Sequence, residues 1–140
     1  FNIRGATWGL DPVDSWVWIN FNNPSDPLAG PHRRDRAISI IGTAAPDIIG
    51  VQELKEIQRD DLLAAFPQYS YFGRGREAGF VSDSNGIFYR TARFDVLDEG
   101  DFWLSATPTV PGTTFTGNGS DTLNPRMASW IKLLDRFNDE

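Results

Sequence analysis

A short β-branched run that ends abruptly in an amide and a carboxylate constrains this chain more than any other feature: PDIIGVQE, from Pro46 to Glu53. Ile48, Ile49 and Val51 form an apolar block with Gly50 among them and Pro46 in front, which predicts a strand buried on both faces of a mostly parallel sheet. Gln52 and Glu53 stand at its carboxyl end. In open α/β sheets ligands bind just beyond the carboxyl ends of the strands, so Glu53 is a candidate site acid. A second reading stays open on position alone: Glu53 opens the next helix, where the dipole of the first turn favours an acid.

The segments around this strand alternate. From about His32 to Ala45 the residues Ala37, Ile38, Ile40, Ile41 and Ala44 recur at helical spacing, and Arg33, Arg34, Asp35 and Arg36 crowd the first turn. The dipole disfavours cations there, so those arginines are expected to pair with acids elsewhere or to be solvated. A second helix is predicted from about Leu54 to Phe66, with Ile57, Leu62, Leu63 and Phe66 inward and Pro67 ending it. Strand, helix, strand, helix argues for an α/β sheet. The second half changes character. Tyr69 to Phe72, Gly86 to Arg90, Phe94 to Leu97, Phe102 to Leu104 and Ser129 to Leu134 read as antiparallel strands, with Asn85-Gly86 as a turn signal.

Two stretches fall outside this pattern. Gly5 to Gly30 is rich in Gly, Pro, Asp and Asn, with Trp8, Trp16, Trp18 and Phe21 interspersed. A loop of that length is expected either to border a site or to cover a sheet edge with its aromatics. Gly73-Arg74-Gly75-Arg76 is a glycine-spaced basic pair that could offer guanidinium groups and backbone N–H to a phosphate, or be a solvated turn. Asn118-Gly119-Ser120 matches a glycosylation sequon by chance composition.

Composition narrows the function classes. The 140 residues are 40% hydrophobic and 13% aromatic with five tryptophans, which argues against disorder and fits one domain with a real core. The net charge of −6 argues against coating a nucleic-acid backbone by bulk electrostatics, so a phosphate ligand would need local arginines or a metal ion. No cysteine is present, which removes thiolate metal sites and cysteine nucleophiles. No run of about 18 apolar residues could span a membrane. Phe1-Asn2-Ile3 reads as the end of a strand begun upstream, and Arg136 to Glu140 stops in a polar turn, so both ends are expected to be cut.

Chemistry is narrowed by elimination. A single histidine, His32, without a G-x-S-x-G context gives no serine triad, and no glycine-rich loop runs into Lys-Ser or Lys-Thr. Zinc would need more His or Cys than the chain has. What remains is oxygen chemistry. A hard cation such as Mg²⁺ is held by one or two carboxylates plus water and phosphate oxygens, so Glu53 would suffice as its main anchor, and the reaction class would then be metal-assisted phosphoester hydrolysis.

The ordered blocks also carry a resemblance. Asn2-Ile3-Arg4, PDIIGVQE, Gln58 and Leu62 in the following helix, Tyr69, GRGR at 73–76, Ile87-Phe88-Tyr89-Arg90, and Phe102-Trp103-Leu104-Ser105 with Pro108, continuing through Arg126 and Trp130, resemble the endonuclease/exonuclease/phosphatase superfamily over nearly the whole chain. Within it the chain is most similar to bacterial metal-dependent hydrolases. The resemblance implies an α/β (α+β) fold: half of a four-layer, two-sheet α/β sandwich, a mixed sheet with two helices packed on its outer face. It implies that residues 1–140 are a partial domain whose carboxyl-terminal catalytic half lies elsewhere. Glu53 matches the family's metal-binding glutamate, for Mg²⁺ or alternatively Mn²⁺, and Asn2 matches the asparagine that orients metal and phosphate. Arg76 and Arg126 match phosphate contacts, Gln52 supports Glu53 from behind, and Trp103 packs.

The family's later pieces, a Thr-His strand end, a Gly-Asp-Phe-Asn block and a terminal Ser-Asp-His, are absent, and His32 precedes the glutamate and cannot replace them. The groups that position and deprotonate an attacking water are therefore missing. The residues alone are expected to be inactive and poorly soluble, because one sheet face would lie bare. The substrate is a phosphoester, whether nucleic acid, phospholipid head group or small phosphate ester. A non-catalytic binding module that kept the half-fold and uses the Trp8 to Phe21 loop is the alternative function.

Overall fold

A computed structural model describes residues 3, 16, 33–77, 84–115 and 124–138. Asn2, Trp8, Trp18, Phe21, His32 and the sequon at Asn118 lie outside the described residues. The elements run α1 (Arg33–Ala44), β1 (Ile48–Leu54), α2 (Glu56–Ala65), β2 (Tyr69–Gly75), β3 (Ser84–Arg90), β4 (Phe94–Trp103) and β5 (Met127–Asp135).

Local chemistry sets the helix ends. The N–H of Ala45 donates to the Ile41 carbonyl at 2.8 Å with φ of 44°, a left-handed residue that closes α1, and Pro46 after it cannot continue the helix. At the start of α2 the Gln58 side-chain oxygen accepts the Lys55 N–H at 2.9 Å, satisfying a donor that the first turn would leave open. The Phe66 N–H donates to Leu62 at 2.9 Å, and Pro67 follows.

Three strands form one sheet in the order β1-β3-β2, and β4 and β5 form a two-stranded hairpin. Every pairing among the described strands is antiparallel, which corrects the expectation of a mostly parallel sheet around PDIIGVQE. The expectation of burial on both faces is corrected with it. Val51 and Leu54 are buried, whereas Ile48 is 48% exposed and Gly50 and Gln52 are exposed, because residues two apart share a face and helices cover only one. The run looked doubly buried because Ile48 and Ile49 are both apolar.

The covered face holds the core. Ile49, Val51, Tyr71 and Phe88 point from the sheet toward Ala37, Ile41, Leu62, Leu63 and Phe66 of the helical layer, and Ile3 and Trp16 join the same cluster. Burying a side chain such as Leu54 completely is worth about 2 kcal/mol. The α/β arrangement with two helices on one face thus agrees with the fold expected. Within α2 the inward set differs: Ile57 is 39% exposed and Gln58 is fully buried, since the cap that Gln58 provides turns its side chain inward. Trp16 is 2% exposed, donates its indole N–H to Asp61 at 3.0 Å and lies under the Arg33 guanidinium, 5.8 Å from its centroid. Arg34 pairs with Asp35 at 3.1 Å, so these two first-turn arginines have found a ring and an acid.

The second half also reads differently in three dimensions. The two strands predicted from Phe94 and Phe102 are one long strand, β4, carried past its polar centre by pairing with β5 and by a bulge between Val96 and Asp98. Asn85-Gly86 lies inside β3 and is not a turn. Gly86 is opposite Gly73, and the Tyr71 ring lies across both, where any Cβ would collide with it. Polar bonds weld the hairpin to the sheet: Asn85 Nδ2 donates to the Met127 carbonyl at 2.9 Å, and the Ser129 hydroxyl donates to the Asn85 carbonyl at 3.2 Å.

Candidate active site

Strand registers bring the candidate residues to one end of the molecule. Gly75 at the end of β2 pairs with Ser84 at the start of β3, and Leu54 at the end of β1 pairs with the same Ser84. In the hairpin Trp103 pairs with Met127, so β4 ends where β5 begins, beside the same edge. Residues just past these ends, Arg76 after β2 and Arg126 before β5, are therefore gathered with Gln52 and Glu53.

Glu53 is placed by a bulge. Val51 faces Gly86 and Leu54 faces Ser84, so Gln52 and Glu53 together oppose the single residue Asn85. Such an extra residue bends the strand and re-aims a side chain. Glu53 itself has φ of 58°, in the left-handed region that costs a residue with a Cβ about 1 kcal/mol. The distortion is held from the far side: Leu54 and Ser84 are fully buried, and the Ser84 hydroxyl donates to the Leu54 carbonyl at 2.8 Å. Glu53 lies within β1, and α2 begins only at Glu56, so the alternative in which Glu53 opens the helix is set aside. Ahead of it the Gln52 carbonyl accepts the Ile3 N–H at 3.0 Å.

An open concavity of about 310 Å³ is lined by Gln52, Glu53, Arg76, Asn85 and Arg126, with Leu104 and Met127 as its apolar wall. All the sequence-predicted site residues that the structure describes meet in it. Two guanidinium groups against one carboxylate make the lining positive in a chain whose net charge is −6. Arginine's planar fork suits phosphate oxygens. The GRGR tetrad divides: Gly73, Arg74 and Gly75 belong to β2, Arg74 lies 3.4 Å from the buried Asp101 carboxylate, and Arg76 alone of the pair lines the concavity.

Asn85 is the lining residue that the sequence did not single out for chemistry. The Asn-Gly dipeptide drew attention as a turn, and only pairing with β1 places it opposite the bulge. Trp103, expected to pack, is buried but also donates its indole N–H to the Arg76 carbonyl at 2.6 Å. Among the described residues no group of three or more His, Cys, Asp or Glu side chains comes together, so what this site offers a metal is the Glu53 carboxylate with a neighbouring amide. That donor set fits a hard cation that keeps water and takes its remaining ligands from a phosphate. No helix among the described residues is long and apolar enough to cross a membrane.

Comparison with known proteins agrees with this fold. An endonuclease/exonuclease/phosphatase family protein from Bacteroides vulgatus is 32% identical and superposes with a TM-score of 0.73, over 100% of this chain and 47% of that one. The mannosyl-6-phosphatase of Bacteroides thetaiotaomicron is 32% identical with a TM-score of 0.70, over 99% of this chain and 45% of that one. A functionally unknown conserved protein from Enterococcus faecalis shares the fold at 21% identity and a TM-score of 0.67, over 96% of this chain and 45% of its own. The chain thus spans about half the length of these solved relatives. A search of curated protein sequences returns no match. The model of the endonuclease/exonuclease/phosphatase family matches residues 1–138, and with the likenesses to the two Bacteroides structures this establishes that the chain belongs to that family.

Proposed function

We propose that this chain supplies the metal- and phosphate-binding half of a Mg²⁺-dependent phosphoester hydrolase. One observation carries the reading: strand ends from both sheets deliver a bulge-presented carboxylate, Glu53, and two guanidinium groups, Arg76 and Arg126, to one open concavity. Glu53 would hold the cation, with Asn2 as the second contact expected from the family resemblance. Bound there, the cation would neutralise charge on the phosphoryl oxygens. Arg76 and Arg126 bind and orient the phosphate, and Gln52 backs Glu53 along the same wall. Mn²⁺ is the alternative ion.

A small sugar phosphomonoester is the substrate class we favour. Support comes from the likeness to mannosyl-6-phosphatase over 99% of this chain and from the net charge of −6, which opposes long nucleic acid. Water activation requires groups beyond those described, and the family's solved members are about twice as long. We therefore propose that the exposed sheet face bearing Ile48, and the hairpin side bearing Phe102 and Trp130, dock the remainder of the domain, and that residues 1–140 alone are inactive.

The test is a panel of hexose 6-phosphates, phosphodiesters and oligonucleotides given to the longest natural form of the protein, with and without Mg²⁺. Glu53→Gln serves as control. Cleavage that needs Mg²⁺ and is lost in Glu53→Gln supports the reading. Binding without turnover of any ester favours the binding-module alternative. Metal-dependent turnover by residues 1–140 alone would overturn the half-site proposal.

A further inference from the structure

We propose that Trp103 is a positioning residue for the anion site, acting through the backbone of Arg76. This rests on the reading of the concavity as a phosphate site. The last pair of the β2 ladder is Gly75 with Ser84, so strand pairing stops one residue before Arg76. At that residue the indole takes over: Trp103 Nε1–H donates to the Arg76 carbonyl at 2.6 Å, across 27 positions of sequence. Trp103 is 3% exposed and is itself held, because its backbone N–H donates to the Pro108 carbonyl at 2.8 Å. The next residue repeats the arrangement with the second arginine, as the Leu104 N–H donates to the Arg126 carbonyl at 2.7 Å. The end of β4 thus grips both arginine-bearing segments by their carbonyls, one of them through a side chain.

The choice of tryptophan follows from this. A phenylalanine would keep an apolar ring there in a smaller volume, but it lacks the donor that the indole carries on its rim. Arginine has a long stem with much rotamer freedom, and fixing its root reduces what must be ordered when an anion binds. Trp103 therefore affects anion affinity beyond its part in packing, and that part of its effect requires the Arg76 guanidinium.

Isothermal titration of inorganic phosphate into the intact protein in Mg²⁺ tests this with Trp103→Phe, Arg76→Ala and the double variant. Arg76→Ala is expected to weaken phosphate about tenfold and Trp103→Phe about three- to fivefold, with the double variant no weaker than Arg76→Ala. In turnover, Trp103→Phe should raise KM and leave kcat within about twofold. A lowered Tm with unchanged phosphate affinity, or effects that multiply in the double variant, would overturn the inference while leaving the site intact. Unchanged phosphate affinity in Arg76→Ala would overturn both the inference and the phosphate reading beneath it. If Trp103→Phe does not fold, the benzothiophene analogue of tryptophan, which replaces the N–H with sulfur and keeps the shape, gives the same comparison.

Discussion

The two ends of the strands set the same residue type in different surroundings. At the end away from the concavity, Arg93 forks onto Asp135 at 3.1 and 3.0 Å through Nε and 2.6 Å through Nη2, and its Nη1 reaches Asp47 at 2.7 Å. Arg136 is paired with Asp95, and Arg90 donates to the Ala45 carbonyl at 3.1 Å. Arg93 thus ties the α1–β1 connection to the hairpin, Arg90 ties that connection to β3, and Arg136 closes the hairpin on itself. At the other end Arg76 and Arg126 are gripped by their carbonyls and share an open concavity with one carboxylate. Guanidinium groups at the first end neutralise the chain's own acids. Those at the second line the concavity beside Glu53, where we propose that a phosphate binds.

The largest effect expected from breaking this contrast is at Glu53. On the proposed function, Glu53→Gln should lower kcat/KM of the longest natural form of the protein by about 10²–10³-fold with little change in Tm, as expected when one preorganised charged group is lost. An equal loss from Arg93→Met, measured in the same assay, would erase the distinction between the two ends. Next in size is the glycine pair that lets Tyr71 lie across β2 and β3. Gly86→Ala should destabilise by about 2 kcal/mol in urea unfolding, since a Cβ there has no room beside the ring. A neutral result would mean that Tyr71 moves aside freely.

Glu53→Gly probes strain at the site directly. It should be as inactive as Glu53→Gln yet no less stable than the parent, because glycine adopts a φ of 58° without a Cβ clash and that relief of about 1 kcal/mol offsets the extra freedom it gives the unfolded chain. Reduced stability would show that the side chain, not the backbone, dominates there. The smallest effect belongs to the paired end and depends on pH. Hydrogen bonds from Arg93 hold the Asp135 carboxyl below the usual carboxylate range, and Arg136 does the same for Asp95. A depressed carboxyl contributes fully above its unfolded value near pH 4, and the contribution is lost as pH falls through the lower folded value. Tm should therefore fall less steeply below about pH 4 in Asp135→Asn than in the parent, with activity near neutral pH unchanged.

How much of this was legible beforehand differs between residues for physical reasons. Both helices were visible because their apolar residues recur at the helical period, and Pro67 ends the second. Glu53 stood out because an acid ends a β-branched run, and the family resemblance added Arg76 and Arg126. Gln58 and Ile57 exchanged roles because a capping hydrogen bond, which periodicity does not encode, decided which one turned inward. Asn85-Gly86 was misread because the same dipeptide that favours a turn also suits a strand position crossed by an aromatic ring.

By itself, the amino-acid sequence determined the two helices, the carboxylate at the end of PDIIGVQE, the shortage of histidine and cysteine that leaves oxygen chemistry, and the family. Those follow from residue type and near-neighbour spacing. Only the tertiary structure decided that the sheet pairs antiparallel, that a bulge opposite Asn85 forces Glu53 into a left-handed conformation, and that Trp103 holds Arg76. Each of those depends on strand register and on contacts between residues tens of positions apart, which are chosen by burying one face of the sheet beneath the helices and not by any local preference.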